Sequence, residues 1–490
     1  MSIIARSLSR IRLYTHRVRP RIVGPVVIFL VSWGLTTHGK YSATGDEPHY
    51  LIVAQSLRSD GDLDVANNYA RGDSGLFGGP ELQPEQHARM SRLGTLLPVH
   101  DIGVPVVLLP AFIVATRLAA LPSEDTLKRF RMNRGLFAYS LISLVIIAVV
   151  SVAAALTIAA LEQHGMPQWT AAFVVVAAWL SAPVLSNSFL VFPEPFALFV
   201  TSWSVLEWSR PPGQWGRRES ALVFALGALP WFHRKYAFYA IALLGIILWR
   251  RRHAVRALTV RARVGLAMLF LAGPVALALA TLRAWGNLAG PLALERLPFS
   301  WSAFGHGAVG LLLDRENGLL WWAPVYALLP AAWWLRRFTL GPWLLPAAAL
   351  LVPSAAHDQW WGGFSPAGRF IVPLVPVFCL GAIALLRERA SRYAALALLI
   401  PQLAIAAYGW QHPRTLWPRG DGENRVLAAL FGSVGGPDSW IPSFRLEPDR
   451  AWQAAALLLI VVACLNAALV WAAPRAAVDE SANGWRTYRA

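Results

Sequence analysis

Apolar stretches of membrane-spanning length, broken by short polar and basic interruptions, dominate this chain. Crossing a hydrocarbon layer of about 30 Å takes roughly 20 apolar helical residues, so the pattern predicts an all-α polytopic membrane protein with about twelve transmembrane helices. The expected spans are 22–38, 135–160, 169–186, 190–208, 220–233, 236–249, 264–284, 318–335, 340–356, 369–386, 392–410 and 452–473. Prolines within them, such as Pro183, Pro230 and Pro324, are compatible with membrane helices, where neighbours re-satisfy freed backbone groups. Within the long polar stretch 39–134, segments 48–58 and 81–93 read as short surface helices. No internal repeat is evident.

Composition agrees with this reading. The 490 residues are 56% hydrophobic and only 14% charged, and the 23 tryptophans suit interfacial belts. A formal charge of +17 raises nucleic acid as a partner. The arginines, however, cluster in short loops between apolar runs, which is the signature of cytoplasmic loops rather than of a nucleic-acid surface. Cys379 and Cys464 both lie in apolar runs and read as small core residues, not as a disulfide or metal pair. The basic stretch from Arg6 to Arg21 precedes an apolar run without a clear cleavage site, so it reads as an uncleaved anchor.

Charge also orders the loops. Arg210 to Arg218, Arg250 to Arg263, Arg336-Arg337 and Arg387 to Arg389 are basic, as is the N-terminus. All fall on the cytoplasmic side only if an even number of spans separates the N-terminus from Arg210. The apolar run 102–121, which carries Pro105 and Pro110, is therefore expected to lie along the interface or re-enter. Both termini are then cytoplasmic, and segments 39–134, 286–317, 357–368 and 411–451 are external.

The candidate chemistry lies on that external side. Asp46-Glu47, followed by His49 and Tyr50, is an acidic pair where the first span leaves the bilayer. Carboxylates there are costly to desolvate and so stay wet, bind a cation or take part in chemistry. Asp60, Asp62 and Asp64 read as a solvated turn, since the remaining ligand pattern of a calcium loop is missing. Glu194 stands between two prolines in an apolar run and needs a partner or a role. His233-Arg234-Lys235 interrupts the apolar stretch 220–249, consistent with two short helices meeting at the external face. Asp314-Arg315-Glu316 reads as a local ion pair or a substrate contact. His357, Asp358, Trp360, Trp361 and Arg369 combine indole faces that stack on sugars with an arginine fork that matches phosphate. Walker loops, dinucleotide fingerprints, CxxC and HExxH are absent, so soluble-nucleotide chemistry and zinc proteolysis lack support.

Three motifs in order, Gly45-Asp46-Glu47-Pro48-His49-Tyr50, His100-Asp101-Ile102-Gly103-Val104-Pro105 and Phe192-Pro193-Glu194-Pro195, resemble those of the GT-C glycosyltransferases. That superfamily includes protein O-mannosyltransferases and the aminoarabinose transferases of lipid A. The resemblance covers residues 1–285 as a GT-C-like transmembrane module, with 286–490 as a variable C-terminal transmembrane region. Two features depart from it. Glu194 stands where many members carry aspartate, and Trp360-Trp361 is followed by glycine, which argues against asparagine glycosylation.

The resemblance implies an inverting glycosyltransferase of the bacterial plasma membrane. A polyprenyl-phosphate-linked sugar would be the donor, and a glycan, lipid or protein the acceptor, at the external face. It implies Asp46 as catalytic base and Glu47 as an orienting neighbour. His49, Glu194, His233, Arg234, Lys235, Asp314, Arg315, His357, Trp361 and Arg369 are the candidate substrate contacts, with Arg369 first for the phosphate. No cofactor is required. A divalent cation, Mg²⁺ or Mn²⁺, is conceivable only if Asp46, Glu194 and Asp314 converge in space. The rival reading is a secondary transporter or flippase, whose sequence signs are mid-membrane charges and internal repeats.

Overall fold

A computed structural model describes residues 19–37, 43–79, 81–291, 300–436 and 438–473. The basic N-terminal stretch before Arg19 and the residues after Ala473 lie outside the described residues. The molecule is mostly α-helical, and among the described residues the sheet is a single two-stranded hairpin. The principal elements begin with α1 (Pro20–Thr37), α2 (Glu47–Ser59), β1 (Ala88–Met90), β2 (Leu96–Pro98) and α3 (Gly103–Leu118). Helices α4 (Arg134–Gln163), α5 (Gln168–Trp179), α6 (Glu194–Ser209), α7 (Arg217–Phe232), α8 (Tyr236–Arg250) and α9 (Val260–Trp285) form the body. Then come α10 (Trp301–Leu313), α11 (Leu344–Ala355), α12 (Val375–Leu385), α13 (Arg389–Gln411) and α14 (Pro448–Ala472).

Helices α1, α4, α9, α13 and α14 are long and apolar enough to cross a membrane. The other expected spans are helices of fewer than 18 residues, and 318–335 is broken into short turns at Ala323-Pro324. A 16-residue helix such as α6 rises about 24 Å, short of the ~30 Å hydrocarbon thickness. Segment 81–93 is not a surface helix: residues 88–90 pair antiparallel with 96–98, in the register Ala88↔Pro98 and Met90↔Leu96. The Ser91 hydroxyl accepts the amide of Leu93, and the Ser91 amide donates to the Thr95 carbonyl, closing the hairpin. The helix expected at 48–58 is α2. Cys379 is buried, whereas Cys464 faces outward on α14, so only the first is a core residue.

Polar contacts mark the two ends of the bundle. At one end, Arg21 on α1 pairs with Glu162 on α4. There too Glu207 on α6 meets Arg210 and Arg251, and Arg251 also reaches Glu219 on α7 at 3.7 Å. At the other end, the last turn of α1 meets the first turns of α4 through a 2.9 Å hydrogen bond between the Thr36 and Ser140 hydroxyls. Trp410, near the end of α13, donates to the carbonyl of Val31 at 2.9 Å. Helices α1 and α4 therefore run antiparallel. The chain enters this second end at Ala43, Glu194, His233 and Arg369, and the candidate site is built from those entries.

Candidate functional site

Gly45 shapes the entry to α2. Its φ is +60°, and a Cβ there would fall 2.6 Å from the carbonyl oxygen of Phe364. Only glycine accommodates both the left-handed backbone and this approach. The turn thereby lies directly against the segment that leads to Arg369. Asp46 occupies the N-cap of α2, but its side chain makes no capping bond. It turns instead to Arg369, whose Nη1 donates to Asp46 Oδ2 at 3.0 Å.

Arg369 also joins the second carboxylate. Its Nε donates to Glu194 Oε1 at 2.9 Å, and Lys235 Nζ donates to that same oxygen at 2.7 Å. Two carboxylates and two cations thus form one compact knot, drawn from four distant segments at helix ends. Glu194 is fully buried, yet its Oε2 has no hydrogen-bond partner among the described residues. The Asp46 side chain keeps 23% of its surface exposed, so it is the carboxylate of the pair that an incoming molecule can reach. Arg369 lies over the Phe192 ring at 4.0 Å, and its Nη2 makes no hydrogen bond among the described residues. Burial pushes the Asp46 carboxyl up, but the Arg369 guanidinium and the imidazoles of His100 and His87 outweigh it and hold that carboxyl far below the usual range.

A cluster of imidazoles faces Asp46 from the long loop. His87 Nδ1 lies 4.0 Å from Asp46 Oδ1 and 2.8 Å from His100 Nε2, with which it shares a hydrogen bond. The hairpin places both: they flank its base, and the Val99 amide donates to the His87 carbonyl at 2.9 Å. His49 stacks on His87 with ring centroids 3.6 Å apart and shares a 2.6 Å hydrogen bond with the Tyr69 hydroxyl. Burial lowers the pKa of His87 and His100, and brings that of His49 down to about 3, while the Asp46 carboxylate opposes the shift in each.

The remaining candidates divide. Glu47 faces the interior rather than the cations of the knot. It is fully buried and accepts the Tyr139 hydroxyl at 2.6 Å, the Val191 amide at 2.8 Å and the Thr44 amide at 3.1 Å. It fastens α2 to α4 and to the segment before α6. Arg234 is held by Asp101, with its amide 2.8 Å from Oδ2 and its Nε 2.9 Å from Oδ1, and donates further to the Ala289 carbonyl. His233 Nδ1 accepts the Lys235 amide at 3.1 Å and so shapes the turn that presents Lys235. His357 Nδ1 likewise accepts the Gln359 amide. Trp361 has one face covered by the Arg445 guanidinium, 4.9 Å from the ring centre.

Asp314 and Arg315 belong to a different structure and do not pair with each other. Asp314 is buried and accepts the amides of Glu316, Asn317 and Phe444. Arg315 donates to the carbonyls of Gly422 and Ile441. Together they lock 314–317 against 420–444. The three-carboxylate cation set of Asp46, Glu194 and Asp314 therefore does not form: Asp314 is saturated by amides and Glu194 is engaged by two cations. Asp60, Asp62 and Asp64 are local as well, with Asp60 paired to Arg71 and Asp64 Oδ1 accepting the Leu96 amide.

Sequence reasoning misses His87 altogether, and names His100 and Asp101 only within a motif, giving neither a role. Two histidines spaced to flank a short hairpin are the available signal. It is hidden because the strands are only three residues each and the segment reads as a helix.

Among the described residues, two of the hollows in the body bear on the site. A cleft of about 440 Å³ is lined by His100, Asp101, Arg234, Thr281 and Trp285, at the end of α9. An apolar cavity of about 710 Å³ lies between α5, α12 and α13, lined by Phe173, Phe378, Leu385 and Leu399 among others. No protein-family model matches this chain, and neither does any curated protein or solved structure.

Proposed function

We propose that this protein is a GT-C-type inverting glycosyltransferase. It would move a sugar from a polyprenyl-phosphate donor to a hydroxyl of an envelope glycan, lipid or protein, at the external face of a bacterial plasma membrane. The observation that carries this reading is the Asp46–Arg369–Glu194–Lys235 knot, at helix ends on one side of an apolar bundle. It pairs an accessible carboxylate with cations suited to a phosphate leaving group.

The acceptor oxygen attacks the anomeric carbon from the face opposite the phosphate. The bond from that carbon to the phosphate oxygen breaks, and the polyprenyl phosphate leaves with the electron pair. The hydroxyl proton passes to Asp46. A positioned base contributes about 10²–10⁴-fold. Arg369 makes Asp46 a weak base in the resting site. A phosphate engaging Arg369 Nη2 would draw the guanidinium toward itself, loosen its hold on Asp46 and raise the basicity of that carboxylate. Donor binding would so prepare the base. Lys235 neutralises the negative charge developing on the phosphate, an effect enhanced where water is excluded. The unpartnered Glu194 Oε2 is a ready acceptor for a sugar or acceptor hydroxyl.

The donor's tail suits the apolar cavity. The helix that starts at Arg369 reaches Phe378, on the cavity wall, after a rise of roughly 15 Å. The cavity is apolar apart from Tyr326, Gln402 and Cys379, which suits a lipid tail better than a polar cargo.

Topology follows the charge pattern, with the termini and the Arg210 and Arg250 loops cytoplasmic and the knot external. The antiparallel course of α1 and α4 supports this reading, because α3 between them then completes no crossing by itself.

The test is transfer in proteoliposomes supplied with a panel of polyprenyl-phosphate sugars. Asp46→Asn should lose transfer by about 10²–10⁴-fold while still binding donor. Full turnover by a folded Asp46→Asn protein would overturn the assignment.

A further inference from the structure

We propose that Asp46, His87 and His100 form a binding site for a transition-metal ion of the Zn²⁺ or Co²⁺ class. This site differs from the hard-cation, all-carboxylate set raised by the sequence, which the fold takes apart. One ligand atom from each of the three residues lies within 4.8 Å of the others. Two imidazole nitrogens and one carboxylate oxygen suit a borderline metal rather than Mg²⁺, which prefers oxygen donors.

The geometry is close to what such an ion needs. Ligand atoms held tetrahedrally at about 2.0–2.1 Å from a metal stand roughly 3.3 Å apart. Here His87 Nδ1 is 2.8 Å from His100 Nε2 and 4.0 Å from Asp46 Oδ1, so the observed spacings bracket that value. Small rotations of the rings would open the first gap and close the second. The backbone is already set, since the β1–β2 ladder and the Val99-to-His87 hydrogen bond hold both histidines at the hairpin base.

The other requirements are met from the same residues. The Asp46 carboxylate divides its oxygens, Oδ2 to Arg369 and Oδ1 toward His87, so an ion on Oδ1 need not displace the arginine. His49 and Tyr50 supply the surrounding wall, stacked on His87 and tilted against His100 at 5.1 Å respectively. Three protein ligands leave a fourth position open, the arrangement in which an ion can take a water or a substrate oxygen.

The proposal stands independently of sugar transfer, and the test measures metal alone. Full-length protein in nanodiscs, stripped with chelator, is titrated with Co²⁺ and read by absorption and by metal analysis after desalting. The expected result is one equivalent bound with a ligand-field spectrum of low coordination number, displaced by Zn²⁺. His87→Ala and His100→Ala should each weaken binding by about 100-fold or more. His253→Gln, at an exposed histidine, should leave binding unchanged. Because the alanine variants could unfold, His87→Cys gives a positive reading: it should keep the ion and add a thiolate charge-transfer band. Failure of the folded wild-type protein to retain Co²⁺, or a His87→Cys protein that binds without that band, overturns the site.

Discussion

Glu47 shows how burial decides between two chemically equal neighbours. Side by side in sequence, Asp46 and Glu47 are both carboxylates at the start of one helix. Helical geometry turns successive residues by about 100°, so one faces the loops and the other faces α4. Asp46 meets Arg369 and keeps access to solvent, while Glu47 is enclosed and accepts three hydrogen bonds. Glu47→Gln should therefore act on stability. Hydrogen bonds to a charged group contribute about 1.5–3 kcal/mol, and an amide in that place cannot accept all three equally. A lowered unfolding midpoint in detergent, with unchanged donor affinity in the protein that remains folded, is the expected outcome. A stable Glu47→Gln protein that binds donor poorly would return Glu47 to the substrate site.

At the scale of elements, the turn between α7 and α8 delivers one cation to the site and withholds another. Arg234 is consumed by Asp101 and by the end of α9. Lys235 faces Glu194 and lies over the Phe370 ring at 4.4 Å. Burial brings the pKa of Lys235 down to about 8, while Glu194 opposes that shift. The sign is clear: the amine is charged below pH 8 and loses its charge as pH rises through that value. Affinity for a short-chain polyprenyl phosphate should fall between about pH 7 and pH 9, measured by calorimetry in detergent. Lys235→Arg, which stays charged over this range, should flatten the profile. An equally steep profile in Lys235→Arg would exclude Lys235 as its source. The hairpin makes a related point. Its strands are too short to show a period of two, and its value lies in holding His87 beside His100.

Across the whole molecule, the alternation of basic and acidic-aromatic helix ends supports a sidedness that thiol labelling of the intact chain can measure. The natural Cys379 and Cys464 are first changed to serine, and one new cysteine is then placed in an exposed loop. Gly213→Cys, in the basic loop from Arg210 to Arg218, should be protected from an impermeant thiol reagent in right-side-out vesicles. Asp358→Cys, in the segment that leads to Arg369, should react. The opposite labelling pattern would reverse the topology and remove the knot from the external face.

Much of this architecture is legible without coordinates, because water excludes apolar runs whatever their partners are. Composition and the length of apolar runs determine that the chain is helical and membrane-compatible, and the order of charges proposes its sidedness. Asp46, Glu194, Lys235 and Arg369 are conspicuous in sequence for the same reason: ionisable groups are costly in apolar surroundings. Their partners are not legible. Which carboxylate meets which cation depends on contacts between residues far apart in the chain, and these exist only once the helices pack. Tertiary structure alone removes Glu47, Asp314 and Arg315 from the site, ties Arg234 to Asp101, and brings His87 and His100 to Asp46.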